Sequence, residues 1–213
     1  FLVAQIAYHV STGQDLWGYK VHQGTVLYLA LEDDESRLQR RMFRMFGVEG
    51  TGSLHFATSA KMIGSGLDEQ LEKFVREHSD TKLIIVDTLQ KVREAVSDSY
   101  SYSSDYEVIG KLKQFADRYG VCVLIVHHTR KQPAGDSFEM ISGTTGLLGC
   151  ADGALLMQKE KRTDSKATLE VVGRDQPDQR LYLSKDQESL VWELDHAENE
   201  LWKQPPDPIL EAV

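Results

Sequence analysis

Leu83-Ile84-Ile85-Val86-Asp87-Thr88 places four apolar residues, three of them β-branched, directly before a carboxylate and a hydroxyl. An apolar run of this length without polar interruption reads as a strand buried on both faces, and such strands belong to parallel sheets covered by helices on each side. Working outward, Val26–Leu31, Leu54–Ala57, Val121–His127 and Gly153–Gln158 repeat the pattern. Between them lie segments of helical period at Phe1–Val10, Glu35–Phe46, Gly66–His78 and Glu107–Tyr119, the last with Val108, Leu112, Phe115 and Ala116 on one face. A shorter helical piece is expected near Thr145–Cys150. Strand alternating with helix predicts an α/β fold, with the five runs forming the core of a mostly parallel sheet. Beyond Gln158 the pattern changes to Ala167–Val172, Arg180–Leu183 and Leu190–Leu194 separated by charged turns, which predicts antiparallel strands extending the edge of that sheet.

The composition bounds the function classes. In 213 residues, 41% are hydrophobic and 27% charged, the balance of one globular domain and not of a disordered, collagenous or coiled-coil chain. A formal charge of −9 means that any nucleic-acid partner must meet a local basic patch. Two cysteines, Cys122 and Cys150, make no disulfide framework and point to a reducing compartment, hence a cytoplasmic protein. No apolar stretch approaches the roughly 18 residues that cross a bilayer, so no membrane partner is expected. Both ends read as cut. Nothing before Phe1 supplies a helix cap, so the chain is expected to start inside a helix whose preceding segment is missing. Residues 204–213 hold Pro205, Pro206 and Pro208 and read as a linker or the start of a further segment.

The chemistry gathers at strand ends. An Asp closing an apolar strand, as Asp87 does, reaches the Mg²⁺ of a nucleoside triphosphate in nucleotide-binding sheets, although a plain strand-to-turn junction uses the same residue. Two further runs narrow the choice: Val26–Leu31 ends on Glu32-Asp33-Asp34, and Val121–His127 on His127-His128. Three strands thus deliver Glu, Asp and His to one edge, the set that polarises a water, holds a metal and senses a phosphate. Two loops on the same carboxyl side, Ser97–Tyr106 and Arg130–Gly146, lie where open α/β sheets place ligands.

The order strand-Glu, strand-Asp, strand-His, then Ser142-Gly143-Thr144-Thr145-Gly146, Ala151-Asp152 and Gly173-Arg174-Asp175, resembles the RecA-like ATPase core. It is most similar to the plasmid and phage-type hexameric replicative helicases of the RepA family, and more distantly to the DnaB helicases. The resemblance runs from Phe1 to about Leu194. It implies that residues 1–203 form a RecA-like ATPase core without its N-terminal P-loop strand, using ATP and Mg²⁺. By matched position, Asp87 corresponds to the Walker B aspartate that holds Mg²⁺, with Thr88 beside it at the nucleotide. Glu32 corresponds to the glutamate that activates the attacking water, and His128 to the γ-phosphate sensor, His127 being its rival because adjacent strand residues face apart. Arg174 corresponds to the arginine finger that enters a neighbouring subunit, with Arg180 as its rival. For single-stranded DNA in the channel of a homo-oligomeric, hexameric ring, the resemblance points to Arg130, Lys131, Ser142, Gly143 and Thr144, with Lys91, Arg93, Tyr100 and Tyr102 as further candidates. One departure stands out: the G-x-x-x-x-G-K-[ST] loop that binds the phosphates is not in these 213 residues. The function implied is an ATP-driven replicative helicase motor moving on single-stranded DNA. A RecA-like nucleotide-binding regulator or clamp and a metal-dependent hydrolase remain as alternatives.

Overall fold

The computed structural model describes residues 1–48, 50–93, 102–128, 149–161 and 163–199. Four parallel strands, β1 (Thr25–Ala30), β2 (Leu54–Ala57), β3 (Thr81–Asp87) and β4 (Cys122–Ile125), pair in the order β2-β1-β3-β4. The register sets Ala30 of β1 beside Asp87 of β3, so the chain segments leaving these two strands start level at the carboxyl edge. Four helices cover the sheet: α1 (Leu2–Thr12), α2 (Glu35–Phe46), α3 (Leu67–Glu77) and α4 (Tyr102–Tyr119).

Alternation along the strands sorts the core into two layers. Val26, Tyr28, Ala30, Leu83 and Ile85 face Ala4 and Ala7 of α1 and Leu38, Met42 and Met45 of α2. Leu27, Leu29, Ile84 and Val86 face Leu67, Leu71 and Val75 of α3 and Ile109, Leu112 and Phe115 of α4. Each aliphatic side chain fully buried this way stabilises the fold by roughly 1.5–3 kcal/mol. Helix ends follow their local chemistry. Asp34 caps α2 by accepting from the Arg37 N–H at 2.8 Å, and α1 stops at Gly13, whose φ of 71° a side chain would resist.

A second, wholly antiparallel sheet runs β5 (Gly153–Gln158), β6 (Lys166–Gly173), β7 (Gln176–Lys185) and β8 (Trp192–Asn199) in sequential order. Helix α1 lies between the two sheets, its Leu2 and Ile6 packing on Leu169, Leu181, Leu183 and Trp192.

The α/β class and the C-terminal antiparallel strands are as expected, and the details differ in several places. Gly153–Gln158 does not join the parallel sheet but pairs antiparallel with β6. The connection 159–165 is too short for the dozen or more residues of a parallel crossover. For the same reason the C-terminal strands form their own sheet among the described residues instead of extending the first. The strand expected at Val121–His127 ends at Ile125, because β3 leaves the sheet after Asp87 for the 3₁₀ turn Leu89–Lys91 and offers β4 no further partner. The expected loop Ser97–Tyr106 is helical from Tyr102, since a helix already anchored by Ile109, Leu112 and Phe115 extends at little cost per added residue. Finally, the strand expected at Leu190–Leu194 begins at Trp192 and continues to Asn199. Of the helical piece expected near Thr145–Cys150, residues 149 and 150 are helical and the rest lies outside the described residues. Among the described residues no helix is long and apolar enough to cross a membrane, and both cysteines are free thiols.

Candidate active site

Strands β1 and β3 deliver their carboxylates to one place. Asp87, half-buried at the end of β3, accepts at Oδ2 a hydrogen bond from the Tyr28 hydroxyl at 2.7 Å. Burial, then the charge and hydrogen bond of Asp87, push that phenol well above the ordinary tyrosine range, so it remains a donor. Thr88 is buried, 2% exposed, and its hydroxyl donates to Glu32 Oε1 at 3.2 Å. Glu32 and Asp87, far apart in sequence, are thereby linked through a single residue.

The acidic triplet after β1 divides its labour. Asp34 is spent on the α2 cap. Asp33 is gripped by Arg41 through both oxygens, at 2.6 and 3.2 Å, and by Arg37 at 3.3 Å. Glu32 is left exposed at the edge with the Thr88 hydroxyl as its partner. A proton acceptor must keep its lone pairs accessible, and of the three only Glu32 does.

Helix α1 begins at this edge. The Phe1 amino group lies in the field of Asp87 and Asp33, yet burial first, then Arg41 and Lys185, draw its pKa down to about 6. Phe1's ring has the Arg41 guanidinium carbon 5.3 Å from its centroid.

The histidines follow β4. Val126 N–H donates to Val86 O at 2.9 Å and Leu89 N–H to Val126 O at 3.1 Å, so the chain reaches the same edge before His127, half-buried, and His128, exposed. Since β4 has already ended, strand alternation does not choose between them. Arg174 stands apart from Asp87 and Glu32, in the turn between β6 and β7, where it donates to Gly149 O at 3.2 Å and faces Asp152 at 3.6 Å. Its rival Arg180 is held within the sheet by Glu170 at 2.8 Å. Arg130, Lys131, Ser142, Gly143, Thr144 and Tyr100 lie outside the described residues. Lys91 is exposed at the end of the 3₁₀ turn that follows Asp87.

The donor set suits a magnesium ion shared with phosphates. Mg²⁺ in such sites takes one or two protein carboxylates and draws its other ligands from phosphate and water, and Asp87 keeps Oδ1 clear of hydrogen bonds from the described residues. No group of three or more His, Cys, Asp or Glu among the described residues is placed to hold a metal unaided. Tyr28 and the Asp33–Arg41 pair escaped the sequence reading. The one signal was a phenol inside a buried apolar run, since a buried Tyr hydroxyl requires a partner.

Residues 1–134 match a family model described as an AAA domain. Among solved structures, a separately crystallised ATPase domain superposes with a TM-score of 0.66 at 13% identity, covering 80% of this chain and 74% of that one. A DnaB-like replicative helicase, solved for its interactions with primase, also gives 0.66 at 13% identity, over 80% of this chain and 51% of that one. The RadB recombinase gives 0.55 at 13% identity, over 80% and 78%. At these identities the likeness is one of fold, and the chain spans about half the length of the DnaB-like helicase. No curated protein matches the chain.

Proposed function

The chain belongs to the AAA domain family, and from that premise we propose that it is the ATP-hydrolysing core of a replicative-helicase-type motor moving on single-stranded DNA. The observation that carries the reading is the meeting of Asp87, Thr88 and Glu32 at the ends of adjacent parallel strands, with Thr88 Oγ1 3.2 Å from Glu32 Oε1. When bound, MgATP supplies the transferable phosphoryl group and the cation that neutralises its charge. Asp87, fixed by Tyr28, holds the metal. Glu32, oriented by Thr88, takes the proton of the attacking water. His128, leaving the same edge, senses the phosphate, and Arg174, remote from its own subunit's Glu32, acts on a neighbour in a hexameric ring.

The strand carrying the phosphate-binding loop pairs, in this reading, with the free edge of β4. Val123, Leu124 and Ile125 are only half-buried there, an unusual state for an apolar strand with an unpaired edge. Arg130, Lys131, Ser142, Gly143 and Thr144 face the DNA, and the protein is a cytoplasmic factor of plasmid, phage or mobile-element replication.

The test is ATP turnover by the full-length protein with and without single-stranded DNA at fixed salt. Turnover should rise with DNA, and Glu32→Gln should lower it roughly 10²–10⁴-fold while ATP still binds. Equal loss of binding and turnover in that variant would remove Glu32 from its role. Hydrolysis indifferent to DNA would replace the motor with a RecA-like switch, and activity without nucleotide would favour a metal hydrolase.

A further inference from the structure

Lys185, at the end of β7, is a half-buried cation among other cations and aromatic faces. Its Nζ lies 3.8 Å from the centroid of the Phe1 ring and 5.8 Å from that of Trp192. Lys159 approaches the same Trp192 ring at 5.7 Å. Arg44 is anchored nearby by the carbonyls of Glu188 and Gln187, at 2.8 and 3.1 Å. Burial first, then the charges of Lys159 and Arg44, hold the Lys185 ammonium below the ordinary lysine range. The surrounding acids are engaged elsewhere: Asp33 with Arg41, Asp87 with Tyr28, and Asp186 with the backbone N–H groups of Glu188 and Ser189. Among the described residues none forms an ion pair with Lys185.

A cation withdrawn from water costs free energy unless an opposite charge meets it. The π faces of Phe1 and Trp192 compensate only in part. The position shows where the missing charge comes from, because Lys185 and Asp87 both act on the Phe1 amino group and therefore flank the start of α1. We propose that Lys185 is an anion-binding residue of the active site, reaching a phosphate of the bound nucleoside triphosphate from the antiparallel sheet, with Lys159 and Arg44 reinforcing the positive potential. This rests on the reading of the edge as a nucleotide site and adds to it a contact from the second sheet.

Competitive labelling tests it in the full-length protein. A trace of an amine-acylating reagent is applied, and modification of Lys185 is followed by peptide mass spectrometry with saturating ATP, adenosine or pyrophosphate. ATP and pyrophosphate should each slow labelling of Lys185 about tenfold, the scale of one charge-assisted hydrogen bond, and adenosine should not. Unchanged labelling in the presence of bound ATP would overturn the assignment while leaving the nucleotide reading in place. Protection by pyrophosphate in a protein that binds no ATP would keep the anion site and remove that reading. Protection by adenosine equal to that by ATP would mean steric cover, and protection only by a single-stranded oligonucleotide would mean a DNA contact; either defeats the proposal. As a second arm, Lys185→Gln should raise the ATP Kd about tenfold, with Lys185→Arg staying near the parent protein.

Discussion

Within Val26–Leu31, Tyr28 is the single residue with a polar side-chain atom, and that atom is aimed at Asp87 at 2.7 Å. A hydrogen bond to a carboxylate contributes about 1.5–3 kcal/mol when its partner is desolvated. Tyr28→Phe keeps the ring in its layer between α1 and α2 and removes only the donor. Urea unfolding should show a loss of about 1–2 kcal/mol, and the affinity of the site for Mg²⁺ with nucleotide should weaken as Asp87 gains freedom to rotate. A variant as stable as the parent would mean that water replaces the phenol without cost. The same pair marks the limit of sequence reading at this scale. Asp87 was legible because a carboxylate closing an apolar strand breaks the local rule. Tyr28 was not, because its ring satisfies the hydrophobic pattern and its hydroxyl acts only across a strand pair. Glu32 could be picked out from its neighbours only once Asp33 and Asp34 were seen engaged, by Arg41 and by the α2 cap.

Between elements, the decisive joint is that of α1 with β8. Gln5 is 2% exposed and uses its amide as a strand would: Nε2 donates to Trp192 O at 2.8 Å, and Oε1 accepts from Trp192 N at 2.8 Å. Trp17 adds a third bond, Nε1 to the same carbonyl at 2.7 Å, from a turn in which it adopts a φ of 54°. Gln5→Leu preserves volume yet leaves the buried Trp192 N–H without a partner. It should cost about 2 kcal/mol in urea unfolding, with faster hydrogen exchange at Trp192 as the local sign. Loss of stability without that faster exchange would place the damage elsewhere. Elements read well from sequence where composition was decisive: β1, β2 and β3 appear within a residue or two of their apolar runs. They read poorly where pairing decides, since Gly153–Gln158 is as apolar as a parallel strand and only the short connection 159–165 commits it to β6. β8 was truncated in the reading because Glu193, Asp195 and Glu198 break its apolar run, while Trp192 and Leu194 pack toward α1.

At the scale of the whole molecule, the two sheets separate functions that a single subunit does not bring together. Asp87 and Glu32 end strands of the parallel sheet, whereas Arg174 sits on the turn of the antiparallel one, with Gly149 and Asp152 as its partners. Asp152 also takes Lys113 at 2.8 Å, so Arg174 is tethered loosely, by a long ion pair that a competing phosphate would replace. If the arginine completes a neighbour's site, Arg174→Ala should leave the ATP Kd within about twofold and lower turnover by 10³-fold or so, the scale of a lost arginine finger. Arg180→Ala is the comparator. Its pair with Glu170 is exposed, so it should cost at most about 1 kcal/mol of stability and leave turnover near that of the parent. Mixing then separates action across subunits from action within one. In a head-to-tail ring of equal parts Arg174→Ala and Glu32→Gln, about a quarter of the interfaces join an intact Glu32 to an intact Arg174. Neither variant alone contains such an interface. Turnover should therefore reappear on mixing, at about a quarter of the parent rate if interfaces fire independently. A mixture no more active than its parts, in rings shown by native mass spectrometry to contain both variants, would confine Arg174 to its own subunit and remove the arginine finger from the mechanism.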